Sequence, residues 1–189
     1  MRARMFRTLT ITFFLIAVAM ARQDKSTTLS KPADAGGELI TTMKFIQNTL
    51  NGVGPVNYAV HGHDSSNGHD WTNHFSNHAS AVIANPTACR INYHYKAIRD
   101  NQVLMDGNAG FLLKDVQKVD VETRRKYLDE ENLKIGHPSW TAKVDPSVFI
   151  IRVQRPANVE NQFVFLDEVE ANRVAKALTR AVELCTRNK

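Results

Sequence analysis

Residues 90–98, Arg-Ile-Asn-Tyr-His-Tyr-Lys-Ala-Ile, alternate apolar and polar side chains with a period of two. Ile91, Tyr93, Tyr95 and Ala97 fall on one side and Arg90, Asn92, His94 and Lys96 on the other, the pattern of a strand with one face buried. The stretch decides the class of fold, because its neighbours on both sides read as further strands and not as crossover helices. Downstream, the Arg99-Asp100-Asn101 turn sends the chain back through Gln102–Met105, which pairs with it. Gly107-Asn108-Ala109-Gly110 reads as a turn, and Phe111–Val121 as a strand region whose alternation slips between Val116 and Val119, as at a bulge. Upstream, Asn57–Asp64 reads as a strand, followed by a Ser-Ser-Asn-Gly turn at 65–68 and a second segment at Asp70–Phe75. Ala79–Ala84 is short and apolar and is stopped by Asn85-Pro86. Val148–Arg155 and Gln162–Leu166 complete the set, separated by the polar turn Pro156–Asn161.

Helices bracket these strands. Leu39, Met43, Ile46 and Leu50 recur at helical spacing within Glu38–Leu50, and Gly52 and Gly54-Pro55 end that run. Thr123–Ile135 is charged with sparse apolar positions and reads as an exposed helix or a long loop. After Asp167, a capping residue with Glu170 three positions on, Val174, Leu178, Ala181, Val182 and Cys185 share one face. Arg173, Lys176, Arg180, Glu183 and Arg187 share the other. The expectation is an α+β fold: a bent antiparallel sheet or barrel of about seven strands, an N-terminal helix, and a C-terminal amphipathic helix capping the sheet.

The first residues set the compartment. Arg2, Arg4 and Arg7 precede an uncharged apolar run, Leu9 to Ala19, and Ala19-Met20-Ala21 supplies the small-x-small pattern of a cleavage site. Residues 1–21 therefore read as a signal peptide, too short to serve as a spanning helix. Residues 22–37, rich in Ser, Thr, Gly and Pro, read as a flexible leader, and 38–189 as one domain. Export to the periplasm or the exterior follows, with no stable membrane span after cleavage. The chain of 189 residues carries 24 Lys+Arg against 19 Asp+Glu. Three of those arginines lie in residues 1–21, which leaves 21 against 19, and bases and acids interleave through Asp120–Lys134. A nucleic-acid binder needs a concentrated basic stripe, so nucleic acid is set aside.

The order of elements resembles the pleckstrin-homology-like fold over roughly residues 56–187, a likeness that implies architecture and no activity. Six segments are also similar to a group of small exported bacterial proteins of unknown function. They are DWTN (70–73), ACR-x-x-YH (88–94), GHP-x-W (136–140), VDP-x-VF (144–149), NRVAKA (172–177) and AVELC (181–185). That resemblance implies the exported compartment and a disulfide, and nothing chemical.

The two cysteines, Cys89 and Cys185, are phased toward the same interior. Cys89 shares the parity of Ile91 and Tyr93, and Cys185 lies on the apolar stripe of the last helix. In an oxidising compartment they are expected to form a disulfide; the alternative is two separately buried thiols.

His61, His63, His69, His74 and His78, with Asp64 and Asp70 among them, offer the ligand types that zinc takes. His61 and His63 share parity, and His69 is placed to approach them across the 65–68 turn. The spacing contains neither H-E-x-x-H nor a Cys/His quartet, so a solvated surface is the expected role. Ser76 and Ser139 lack a nucleophile-elbow frame. Asp129, Glu130 and Glu131 beside Arg124, Arg125 and Lys126 fit ion pairs on a helix surface. Trp71 and Trp140 sit in polar, Thr-containing stretches that read as loops. No catalytic residue and no cofactor is assigned. The function expected is a non-enzymatic binding or interaction domain of the cell envelope, its partner an envelope protein or a small ligand. The rival readings are a metal-dependent hydrolase built on the 61–78 histidines and a purely structural envelope protein.

Overall fold

The computed structural model describes residues 35–136 and 139–187. The signal peptide and leader readings over 1–34, and His137-Pro138 of the GHP-x-W segment, lie outside the described residues. Helix α1 spans Ala35–Gly52, so the helix begins within the stretch read as leader. Then follow β1 (Val56–Asp64), β2 (His69–Asn85), β3 (Arg90–Arg99), β4 (Gln102–Leu112), β5 (Lys118–Thr123) and helix α2 (Arg124–Lys134). β6 (Trp140–Asp145), β7 (Phe149–Arg155), β8 (Val159–Phe165) and helix α3 (Glu168–Arg187) complete the chain. All pairings are antiparallel, in a five-stranded sheet of order β4-β3-β2-β1-β6 and a three-stranded sheet of order β5-β7-β8. The fold is α+β, with eight strands among the described residues where about seven were expected.

Several sequence expectations change here. Asp70–Phe75 and Ala79–Ala84 are parts of one strand, β2. The polar Ser76-Asn77-His78 that seemed to divide them does not break it, because buried Asn77 is satisfied inside. Its Nδ2 donates to the Tyr58 hydroxyl at 2.9 Å and its Oδ1 accepts from Tyr95 at 3.0 Å. Burial pushes the Tyr95 phenol up to about 12. The register of β2 slips between Ser80 and Ile83, with Ala81 at φ 49. There α1 takes over the freed backbone groups: Asn51 pairs with Val82 through both its amide atoms, and Gln47 accepts from the Ala84 amide.

The Gly107–Gly110 run is not a turn; it lies inside β4, opposite Tyr95 to Asn92. The β3–β4 connection is tight because Asp100 and Asn101 both adopt left-handed φ, 47 and 67, as two-residue hairpins require. The slip between Val116 and Val119 is not a bulge. β4 ends at Leu112, a 3₁₀ turn at Leu113–Asp115 carries the chain to the other sheet, and β5 begins afresh. Thr123 caps α2, its hydroxyl accepting from the Lys126 amide at 3.2 Å, so the helix forms without burying a whole side chain.

The main core gathers Met43, Ile46 and Leu50 of α1, Ile91 and Phe111 of the first sheet, Ile151 and Phe163 of the second, and Val174, Leu178 and Ala181 of α3. Asp167 caps α3 as expected, accepting from the Glu170 amide at 2.7 Å. Arg180 of α3 grips Glu38 of α1 through two bonds of 2.7 and 2.9 Å, and Glu38 is thereby held below the usual carboxylate range. Cys89 and Cys185 form a disulfide with a Cα–Cα distance of 5.9 Å. Cys89 sits in the turn before β3, at φ 47, and not within the strand. The bridge closes a sequence separation of 96 residues, for which the chain-entropy argument gives about 5 kcal/mol.

Candidate functional site

β1 is an inner strand, bonded on one edge to β2 and on the other to β6. Its side chains alternate cleanly: Val56, Tyr58, Val60 and Gly62 are buried, and Asn57, His61 and His63 are exposed on the outer face. Register places Thr72 and Asp70 of β2 directly opposite His61 and His63. Both contacts form through the same ring atom. His61 Nδ1 lies 3.0 Å from Thr72 Oγ1, and His63 Nδ1 lies 2.7 Å from Asp70 Oδ1.

The backbone between the two histidines is held from the inner face. A Cβ on Gly62 would fall 2.0 Å from ring carbons of Trp71, so only glycine lets that indole lie against the strand. Trp71 meets Trp140 edge-on, with centroids 6.4 Å apart. Both tryptophans stand on strands, Trp71 in β2 and Trp140 opening β6, which corrects their reading as loop residues.

At the end of β1, Asp64 ties the turn to β6. It accepts from the Ser66 hydroxyl at 2.6 Å, the Ser66 amide at 2.9 Å and the Ser139 hydroxyl at 3.0 Å. These bonds, led by the Ser66 hydroxyl and joined by the Trp140 side chain, hold its carboxyl well below the ordinary range. Ser139 therefore serves a turn anchor, while Ser76 lies opposite Ile98 on the sheet.

The trio of His61, His63 and His69 that the rival metal reading requires does not assemble. His69 is the register partner of Asp64, so by parity it belongs to the face of Gly62 and Trp71, opposite to that of His61 and His63. His74 lies across from Ala59, with Nδ1 3.4 Å from Asp100, and His78 lies across from Lys96. Among the described residues no group of three or more His, Cys, Asp or Glu side chains is placed to hold a metal ion. His94 also lies on the outer face, and both of its ring nitrogens are engaged. Nε2 is 2.8 Å from Asp106 and Nδ1 is 3.3 Å from Asn108. Lys96 first, and His94 with it, lower the Asp106 carboxyl.

A second polar constellation was not anticipated from the sequence. On the outer face of the three-stranded sheet, Arg152 bonds Glu160 at 2.7 Å and Glu122 at 2.7 Å, with Glu130 of α2 at 3.5 Å. Its guanidinium also lies over the Tyr127 ring, 5.2 Å from the centroid. A polar cleft of about 730 Å³ opens beside it, lined by Tyr127, Lys134, Arg155 and Gln162 among others. The acidic run of α2 forms the expected helix-surface pairs, Arg125–Asp129 at 3.9 Å and Lys126–Glu130 at 3.7 Å. In the sequence Arg152 is marked only as a charge set between the apolar Ile151 and Val153. Its partners come from β5, α2 and β8, whose register the sequence does not state.

The other feature that sequence reading passed over is the tip of β4. Val103, Leu104 and Met105 are 57%, 52% and 56% exposed, three successive apolar residues on the outermost strand of its sheet. A register shift between Ala97 and Ile98 leaves Leu104 as the extra residue of a bulge. Among the described residues, no helix is long and apolar enough to cross a membrane. Comparison with protein-family models, with curated proteins and with solved structures finds no match to this chain.

Proposed function

We propose that this chain is an exported, non-enzymatic interaction domain of the cell envelope that takes up a partner protein along the open edge of its five-stranded sheet. The observation that carries this reading is the exposed Val103-Leu104-Met105 run on edge strand β4. An unpaired edge presents a row of backbone donors and acceptors, and soluble proteins commonly guard it with lysine, proline or a covering element. Here Asp106 is the one charged residue between Gln102 and Leu112, and that stretch contains no proline. The opposite edge, β6, has α2 packed against it. The partner that suits β4 is an extended segment with apolar side chains, added as a further strand from Met105 onward and covering the hairpin tip.

The signal-like residues 1–21 and the Cys89–Cys185 bridge both suit an oxidising compartment outside the cytoplasm. We also read the architecture as pleckstrin-homology-like. Four consecutive strands make the body of one sheet, a second sheet of three strands follows, and a terminal helix packs into the core.

A photo-crosslinking residue at Leu104, compared in living cells with one at Val169, tests the edge. Val169, 68% exposed on α3 against 52% for Leu104, offers at least as much apolar exposure without a strand edge. A discrete adduct from position 104 alone is expected, and it should vanish when Val103 and Met105 are changed to Glu. Equal labelling from both positions, or none from 104, overturns the proposal. Fractionation that leaves the chain in the cytoplasm removes its exported part.

A further inference from the structure

We propose that His61 and His63 form a surface site for one Cu2+ ion, bound through their two Nε2 atoms, with water or a small exogenous ligand completing the coordination. This site is separate from the β4 edge and does not depend on it. Four observations converge on it. The two histidines are at alternate positions of one strand, so both stand on the outer face about 7 Å apart along the chain. Each ring is held by Nδ1, His63 by Asp70 and His61 by Thr72, both partners coming from the same neighbouring strand. The two rings are thus anchored in the same sense, and among the described residues none engages the other nitrogen of either, which faces a ligand. A carboxylate or hydroxyl on the far nitrogen is also the arrangement that orients an imidazole and raises its basicity toward a metal.

The strand itself is rigid at this point. β1 is bonded on both edges, and the Trp71 indole lies against Gly62 between the two histidines. Rigidity matters because a two-ligand site gains affinity only if the ligands do not have to be ordered on binding. His94 makes the useful contrast, since Asp106 and Asn108 engage both of its nitrogens. Exposed Lys143, the register partner of His61 on β6, is the nearby charge that opposes a cation, and Asp70 is the one that favours it.

The choice of ion follows from chemistry. Two imidazoles, with no further ligand among the described residues, are too few for a closed tetrahedral zinc site, which takes four. Cu2+ binds nitrogen ligands most strongly among the first-row divalent ions. It accepts a tetragonal arrangement in which water fills the remaining positions.

The test is titration of the purified, disulfide-bonded protein with Cu2+ alone, followed by calorimetry and by electron paramagnetic resonance. One ion per chain at low-micromolar affinity, with a spectrum of two coordinated imidazole nitrogens, is expected. His61→Ala and His63→Ala should each remove that spectrum, and Asp70→Ala should weaken binding by about tenfold while keeping both nitrogens. His94→Ala should leave the affinity unchanged. Unaltered binding by the His61→Ala/His63→Ala double variant, with its circular dichroism intact, overturns the proposal. So does the failure of the parent protein to bind one ion in this range.

Discussion

The outer faces of the two sheets are both polar, but their charges are arranged to opposite ends. On the three-stranded sheet Arg152 is only 13% exposed and is met by carboxylates from β5, α2 and β8, with the Glu122 side chain 6% exposed. The charges there are directed at one another, and the pairing raises the Arg152 guanidinium further above its already high range, the Glu160 bond leading. On the five-stranded sheet the ion pairs are exposed, as between His94, Lys96 and Asp106, and His61 and His63 are each held at one nitrogen by a residue of β2. A network turned inward on itself holds elements together. Side chains oriented by one bond and open at the other atom are available to something from outside.

That contrast is testable from the strongest effect to the weakest. Arg152→Met leaves buried Glu122 with only the longer Lys126 contact, 3.8 Å, and should cost about 3 kcal/mol in denaturant unfolding while leaving Cu2+ binding untouched. A loss of metal binding with it would merge the two faces that are separated above. Gly62→Ala drives a methyl group into Trp71 and should cost about 2 kcal/mol, with weaker Cu2+ binding because the strand between the histidines must shift.

Acid acts on the five-stranded sheet through Asp64. Its carboxyl is depressed in the folded state by the Ser66, Ser139 and Trp140 bonds, so folding favours the ionised form. The stabilisation is complete above about pH 4 and is lost as pH falls further, through the depressed folded value. Asp64→Asn should therefore flatten the acid limb of the stability profile, read as midpoint against pH. Last, the double change of His61 and His63 to Ala should shift stability by no more than about 0.5 kcal/mol, as for exposed positions outside special features. A large loss would show that these histidines hold the fold and are not a surface site.

The parts of this molecule legible from sequence are those set by local periodicity. The β3 alternation, the apolar stripe of α1 and the Asp167 cap of α3 each express a preference within a few residues, and each stands where the pattern put it. What failed were inferences about partners distant in the chain. Ser76-Asn77-His78 looked like a break in β2 because nothing in sequence says that Tyr58 and Tyr95 will satisfy a buried amide. Trp140-Thr141-Ala142 reads as a loop because its pairing partner, β1, lies some 80 residues upstream. In the site, the shared parity of His61 and His63 was visible, but register decided that Asp70 and not His69 joins them.

By itself, then, the sequence determined that a run of strands is bracketed by two amphipathic helices and that Cys185 lies on the apolar stripe of the last one. Side-chain periodicity and cap chemistry are short-range and need no third element to act. The tertiary structure alone decided the split into five and three strands, the closed carboxylate ring around Arg152, the bare edge of β4 and the partners of each imidazole. Those depend on register, and a slip of one residue would have turned every one of these side chains to the other face.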